Sequence, residues 1–531
     1  MSIVSYKFVI FLALLCGVYY LVPKSAQWIV LLAASMVFYL SYGVKPVVYL
    51  LFTALTTFAA GLILGNINFS LENCLKSNPS LSREERKAAK KAARTRKRWV
   101  LAAAVLCNIG MLAAVKFAGC LGPVLGKLLG RPGYGGEGLF SWLALTLGVS
   151  FYVFQTVGYV TDVYRGIAEP CRSFPRYLLF VCFFPQLLQG PISRYGQLYP
   201  QLVEPRDFSA RNMKFGIQLI MWGYFKKVVV ADRLAVMVNT VFDRYAEFGG
   251  AVIFLGVMLY CIQLYGDFSG GIDIIRGAAQ MLGIEMTENF RRPYFSRSTA
   301  EFWRRWHISL GAWMRDYLFY PISRTKAALR LGRACRKRPG GHLGDVLVPA
   351  AATFIVFIVM GIWHGAGLNW LVYGIWNGVL ISSSMLLEAP FRRFYKSAGI
   401  SPDNPMVRFF QICRTFILVT IGRYFSRAES LAVAAAMLRR SFTAVLPRQL
   451  LDGTLLNLGL GLYNMVVALA GCVVMLIVSI LQERGCNIRE SLERKSPGVQ
   501  FAVNFVSLLA LTLFGIYAQG YVPAEFVYAN V

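Results

Sequence analysis

DVLVPAAATFIVFIVMGIWHGAGLNWLVYGIWNGVLISSSMLLE, residues 345–388, holds two apolar runs separated by a short glycine-rich break at a histidine. Each run, 345–363 and 367–388, is near the ~20 residues that a helix needs to cross the hydrocarbon core of a bilayer. Runs of this kind recur through the chain, and they predict spans at about 4–22, 26–43, 46–64, 99–117, 139–160, 215–237, 250–266, 345–363, 367–388, 408–422, 459–481 and 500–520. The run 175–190 is interrupted by Pro185, Gly190 and Pro191 and reads as re-entrant or broken. Such backbone is tolerated at membrane depth only where protein or a cavity covers the freed groups. The expected fold class is all-α, a polytopic membrane protein with about 10–13 transmembrane helices plus re-entrant and interfacial helices. The first run is expected to stay as an uncleaved span, because no small-x-small cleavage site follows it.

Composition agrees and narrows the classes. The 531 residues carry 55 Lys+Arg against 26 Asp+Glu, a net charge of +29, yet 56% of them are hydrophobic and the mean hydropathy is +0.53. A basic nucleic-acid-binding protein would carry the charge without the apolar runs, and a disordered chain would lack the 38 Phe, 27 Tyr and 10 Trp. The eleven Cys are scattered with no C-x-x-C pair, so neither a disulfide framework nor a structural zinc site is expected. No metal is called for.

Two loops concentrate the basic charge. Residues 83–98 (REERKAAKKAARTRKR) hold nine Lys/Arg and 324–338 (RTKAALRLGRACRKR) hold seven. Both flank spans, so the positive-inside rule puts them in the cytoplasm. The first follows three spans, which places the N-terminus outside. The Ala-interleaved 83–98 stretch should be a surface helix that attracts anionic head groups of membrane lipid. No aromatic residues interleave its charges, so no nucleic-acid partner is expected.

Polar residues near spans cluster in 259–322. Asp267 ends an apolar run and needs a partner or a watery cavity, with Arg276 or Arg304 as candidates. Glu301-Phe302-Trp303-Arg304-Arg305-Trp306-His307 is too charged to span and reads as an amphipathic interfacial helix with its Trp residues as anchors. His307 and His364 are two of only three His; His342 reads as a solvated loop residue. Around His364, Gly361, Gly365, Ala366 and Gly367 would open space beside an imidazole, the side chain best matched to proton abstraction near neutral pH.

Together the segments SFYVFQTVGYVTDVYRG (150–166), FFPQLLQGPISRY (183–195), WGYFKKVVVADR (222–233), the block 265–322 and GIWHGAGLNWLVYGIWNG (361–378) resemble the membrane-bound O-acyltransferase family. The resemblance is strongest to the bacterial branch that acts on alginate, peptidoglycan and D-alanine transfer, and within it to the alginate O-acetyltransferase membrane subunit. It runs from about residue 4 to 388 in order and spacing. It implies an acyltransferase core over 1–388, completed by C-terminal helices over 389–531, with a central funnel. The ending Phe526-Val527-Tyr528 resembles that of the branch but departs at Ala529-Asn530-Val531.

The resemblance implies that His364 is catalytic and His307 is a second essential residue. It leaves Trp303, Arg304, Arg305, Asp267, Gly190 and Pro191 as candidate substrate-binding positions. No bound cofactor is implied; the donor substrate would be acetyl-CoA or an acylated carrier protein, met from the cytoplasm. The expected activity is transfer of an acetyl or other short acyl group across a bacterial cell membrane, for O-acetylation of a surface or exported polysaccharide, with a separate extracytoplasmic acetyltransferase as partner. Two alternatives are D-alanyl transfer toward teichoic acid and a transporter or flippase without acyl chemistry.

Overall fold

The computed structural model describes residues 1–128, 148–187, 189–336 and 342–516; residues 526–531 and part of the expected span 139–160 lie outside them. Among the described residues the chain is helical, with one isolated bridge between Phe290 and Trp306. Among the described residues seven helices are long and apolar enough to cross a membrane, or eight with the bent pair Leu368–Leu386 and Glu388–Ser397 counted as one span. Two shorter apolar helices, within residues 6–21 and 24–40, bring the described residues to the low end of the expected range.

Exposed large apolar residues recur along most of these helices, the reverse of a water-soluble bundle. On Leu462–Glu483 the residues Leu462, Val466, Leu469, Val473 and Ile477 are exposed, while Val467, Ala468, Gly471 and Met475 are buried. A lipid-facing helix shows this pattern because hydrocarbon, unlike water, does not penalise exposed Leu and Val.

The chain divides into two compact units. The first holds Met1–Ile217 and Ile275–Thr287. Its helix Arg83–Leu128 starts in a reciprocal cap: Ser82 N donates to Glu85 Oε2 at 2.8 Å and Glu85 N to Ser82 Oγ at 3.2 Å. The basic stretch 83–98 is helical as expected, but it is continuous with the following span rather than a separate surface helix. The run 175–190 is broken as expected, into Phe174–Cys182 and Phe184–Leu187. Phe184 closes an aromatic cluster with Phe8, Phe11 and Phe38.

The second unit holds Gln218–Ile274 and Glu288 onward. Here the expected span 215–237 takes a different form. Ala210–Tyr224 runs into a π-helical stretch, Phe225–Ala231, and then Asp232–Asp243. This stretch turns buried charge inward. Lys227 Nζ lies 2.6 Å from Asp267 Oδ1 and 2.9 Å from Asp232 Oδ1. Lys226 Nζ donates to Ser269 Oγ at 2.9 Å and to Asp273 Oδ2 at 2.7 Å. Arg233 Nη1 donates to the Val228 and Val229 carbonyls at 3.3 and 3.0 Å, which serves backbone groups that the irregular turn frees.

Two expectations are thereby corrected. Asp267 does not end its span; it lies inside the helix Gly250–Met281. Its partner is Lys227, not Arg276 or Arg304. Lys227 is the cation that makes a buried Asp267 tolerable, as Lys226 does for Asp273, and that is why this run is not an ordinary lipid-facing span.

Removing one member of a buried charge set strands the others, at about 3–5 kcal/mol. Lys227→Ala should therefore lower the thermal unfolding transition of the detergent-purified protein by many degrees. A wild-type transition in that variant would contradict the assignment.

Candidate active site

His364 is the last residue of the helix His342–His364, and Leu368–Leu386 begins four residues later. The two helices pass backbone against backbone. A Cβ at Gly361 would lie 2.6 Å from the Trp370 carbonyl and 3.1 Å from Gly374 Cα; one at Gly374 would lie 2.5 Å from the Phe357 carbonyl. No larger residue fits at either position without separating the helices.

The glycines around His364 do not open empty space, contrary to expectation. The space is filled by Trp370, whose ring stacks on the imidazole at 5.0 Å and 16°; a Cβ at Gly365 would meet that indole at 2.5 Å. Trp363 at 4.7 Å and Tyr373 at 6.1 Å add further ring contacts. The imidazole is buried, at 6% exposure, and gripped by three aromatic side chains. Asn369 ties the following turn down, its Nδ2 donating to the Phe425 and Ala428 carbonyls at 3.1 Å each.

His307 sits between two short helices, Thr299–Arg305 and Ile308–Met314, with φ +45°. The segment 289–291 clasps 305–308 from the side: Arg291 N donates to the Arg305 carbonyl at 2.9 Å and Ile308 N to the Asn289 carbonyl at 3.0 Å. Asn289 Oδ1 accepts from Ser309 N at 3.0 Å, and a backbone N–H can only donate, so this atom is the amide oxygen. His307 Nδ1, 3.2 Å from the same oxygen, must then carry the proton, which leaves the lone pair on Nε2. The ring stands edge-on to Phe268 at 5.0 Å. Burial pushes the His307 pKa down to about 3, so the side chain is a neutral imidazole at physiological pH.

The remaining sequence candidates separate. Trp303 is half-buried, with Nε1 donating to Asn377 Oδ1 at 3.1 Å. Trp306 is fully buried and stacked on Phe302 at 5.5 Å, so it is a core residue and not an interfacial anchor. The helix Thr299–Arg305 thus packs inward on Phe302 instead of lying as a free amphipathic surface helix. Arg305 bridges Glu301 at 2.7 Å and Glu483 at 3.0 Å, while Arg304 is exposed. Asp267 belongs to the Lys227 cluster, although its neighbour Phe268 touches His307. Gly190 and Pro191 belong to the first unit, where a Cβ on Gly190 would meet the Pro185 carbonyl at 2.8 Å and the Pro191 carbonyl accepts from Gln186 Nε2 at 3.1 Å.

Sequence reasoning missed Asn289, Tyr373, Lys227 and Arg423. The last is a buried arginine at the end of the expected span 408–422; its guanidinium lies 4.9 Å from the Trp306 ring, and its Nη1 donates to Tyr373 Oη at 3.0 Å. It therefore contacts the surroundings of both histidines. Its signal in the sequence is the same as that of Asp267: a charge beside an apolar run needs a partner.

Residues 171–332 match the membrane-bound O-acyltransferase family. A probable alginate O-acetylase of Pseudomonas fluorescens is 31% identical over 434 residues, covering 82% of this chain and 74% of that protein. The chain belongs to the membrane-bound O-acyltransferase family. It is a multi-pass membrane protein and an acyltransferase. Other relatives are a peptidoglycan O-acetyltransferase of Helicobacter pylori, 28% identical over 56% of each chain, and a teichoic acid D-alanyltransferase of Bacillus subtilis, 28% identical over 52% of this chain and 67% of that one. The family match includes His307 and stops short of His364.

The two states of His307 give a pH test. Its pKa is depressed in the fold, so its neutral form contributes fully above the unfolded value of about 6.5, and the contribution fades as pH falls toward 3. At pH 5 the penalty is about 2 kcal/mol. Between pH 7 and 5 the thermal transition of the wild type should fall more steeply than that of His307→Gln; equal slopes would contradict a buried neutral His307.

Proposed function

We propose that this acyltransferase moves an acetyl or other short acyl group from a cytoplasmic thioester donor, acetyl-CoA or an acylated carrier protein, for O-acetylation of an exported or surface polysaccharide. The observation that carries the reading is His364, an imidazole clamped by three aromatic rings at the break between two tightly crossed helices. Relatives named as a probable alginate O-acetylase and a peptidoglycan O-acetyltransferase support the acetyl group and the polysaccharide class.

In the proposed step, His364 accepts the proton of an acceptor hydroxyl as its oxygen attacks the thioester carbonyl. The new C–O bond forms, the C–S bond breaks, and the thiolate leaves and takes up the proton held by the imidazole. His307, neutral and with its Nε2 lone pair set by Asn289, orients a hydroxyl or donor amide beside it. Arg304, exposed, offers its charge to the anionic part of a donor. An extracytoplasmic acetyltransferase would complete delivery to the sugar.

The relative named teichoic acid D-alanyltransferase supports a second reading, D-alanyl transfer from a carrier protein by the same chemistry. One experiment separates the two. Surface and exported glycans from cells with the wild type, without the protein, and with His364→Ala are analysed for O-acetyl and D-alanyl esters. Loss of O-acetyl esters in the last two supports the first reading, and loss of D-alanyl esters supports the second. Undiminished esters in His364→Ala, at normal abundance in the membrane, would remove His364 as the base.

The donor-side assignment has its own test. We place the basic stretches 83–98 and 324–338 in the cytoplasm and the N-terminus outside. With the native exposed cysteines replaced, Lys90→Cys and Arg330→Cys should resist a membrane-impermeant thiol reagent in intact cells and react after permeabilisation. Reaction in intact cells would reverse the orientation.

A further inference from the structure

Arg423 is 2% exposed, on the helix Pro405–Arg427. Its guanidinium lies over the Trp306 ring at 4.9 Å and near the Tyr373 ring at 5.8 Å, while Nη1 donates to Tyr373 Oη at 3.0 Å. Trp306 is joined by one peptide bond to His307. Tyr373 stands edge-on to His364, at 77°.

The helix that carries this arginine is pinned to Leu368–Leu386 on both sides of it. Trp376 Nε1 donates to the Leu418 carbonyl at 3.0 Å, and Asn369 Nδ2 reaches the Phe425 and Ala428 carbonyls. Trp303 reaches the same helix through Asn377, whose Nδ2 donates to the Tyr373 carbonyl at 2.8 Å. The cation is thus fixed between two structures that each present one histidine.

A guanidinium is costly to remove from water, and packing alone would be served at lower cost by Leu or Met. What Arg adds is a planar group that can lie on an indole face and hydrogen-bond a phenol in a fixed direction; a lysine ammonium cannot do both.

We propose that Arg423 is the positioning residue that holds His307 and His364 in one catalytic geometry, through Trp306 on one side and Tyr373 on the other. It acts through those side chains and not on substrate. The proposal rests on the reading of His364 as the base.

The test uses membrane vesicles containing the full chain, the host's exported polysaccharide, and acetyl-CoA as the donor probe. Wild type, Arg423→Lys, Tyr373→Phe, the double variant and His364→Ala are compared for kcat and donor KM at matched abundance. Arg423→Lys keeps the charge and loses the planar contact, and Tyr373→Phe removes only the hydroxyl. Each should lower kcat by about tenfold and leave KM within about twofold, and the double variant should be no worse than Arg423→Lys alone. Wild-type kcat in either single variant, a rise in KM that accounts for the loss, or losses that multiply in the double variant would overturn the proposal. If Arg423→Lys does not accumulate, Tyr373→Phe decides by the same kcat criterion. If His364→Ala transfers acetyl at the wild-type rate, the base assignment fails and the coupling falls with it. If His364→Ala is inactive while Tyr373→Phe is unimpaired, only the coupling falls.

Discussion

Two helices meet here with nothing but backbone between them. At Gly361 and Gly374 the helices that flank His364 approach so closely that even a methyl group has no room. That contact sets where His342–His364 must end, and it brings Trp370 and Tyr373, in the first two turns of the next helix, against the imidazole. The histidine is thereby fixed by the crossing itself and not by a flexible loop. In a bilayer such crossings are a main source of helix association, because lipid tails compete fully with Leu and Val for apolar contact and dispersion between close-packed backbones remains. The residues that hold the second unit together are therefore the ones that aim its candidate base.

The same unit confines its charge. Lys226, Lys227, Asp232, Arg233, Asp267 and Asp273 are paired with one another, with Ser269 or Asn464, or with freed carbonyls, beneath an apolar exterior. Arg305, Arg292 and Glu483 form a second, more exposed set beside the His307 clasp. These pairs stabilise little in net terms, because desolvation offsets most of the attraction. Their effect is specificity: a helix that slid or rotated would leave an ion unpaired in a medium that cannot solvate it.

The features of the sequence that reveal a span are long-range averages, and these were legible. The apolar runs predict all seven candidate spans among the described residues but not shorter helices such as Tyr195–Val203 and Leu431–Thr443, and Pro185 with Gly190 and Pro191 predicts the broken one. Isolation made His307 and His364 stand out as two of three histidines in 531 residues. Pairing was not legible, because it depends on which helix faces which. Asp267 reads as needing a partner or a watery cavity, with Arg276 or Arg304 as candidates, but its partner Lys227 lies forty positions away in a run that reads as a span of its own. Trp306 reads as an interfacial anchor from composition and is core because 289–291 covers it. The glycines near His364 read as room from the sequence, and their meaning is contact.

The π-helical stretch at Phe225–Ala231 carries one more consequence. In a π turn, residues five apart lie nearly one above the other, whereas on a regular α-helix they diverge by about 140°. Lys227 and Asp232 are five apart, and they pair. Loss of one residue between them would close the stretch to the α form, in which residues four apart share a face, so the acid would still meet its cation and the helix beyond would keep its direction. The identity of the paired side chains is thus fixed at this point more strictly than the number of residues between them, so a single-residue change in length among descendants of this chain is tolerated here as it is in the loops.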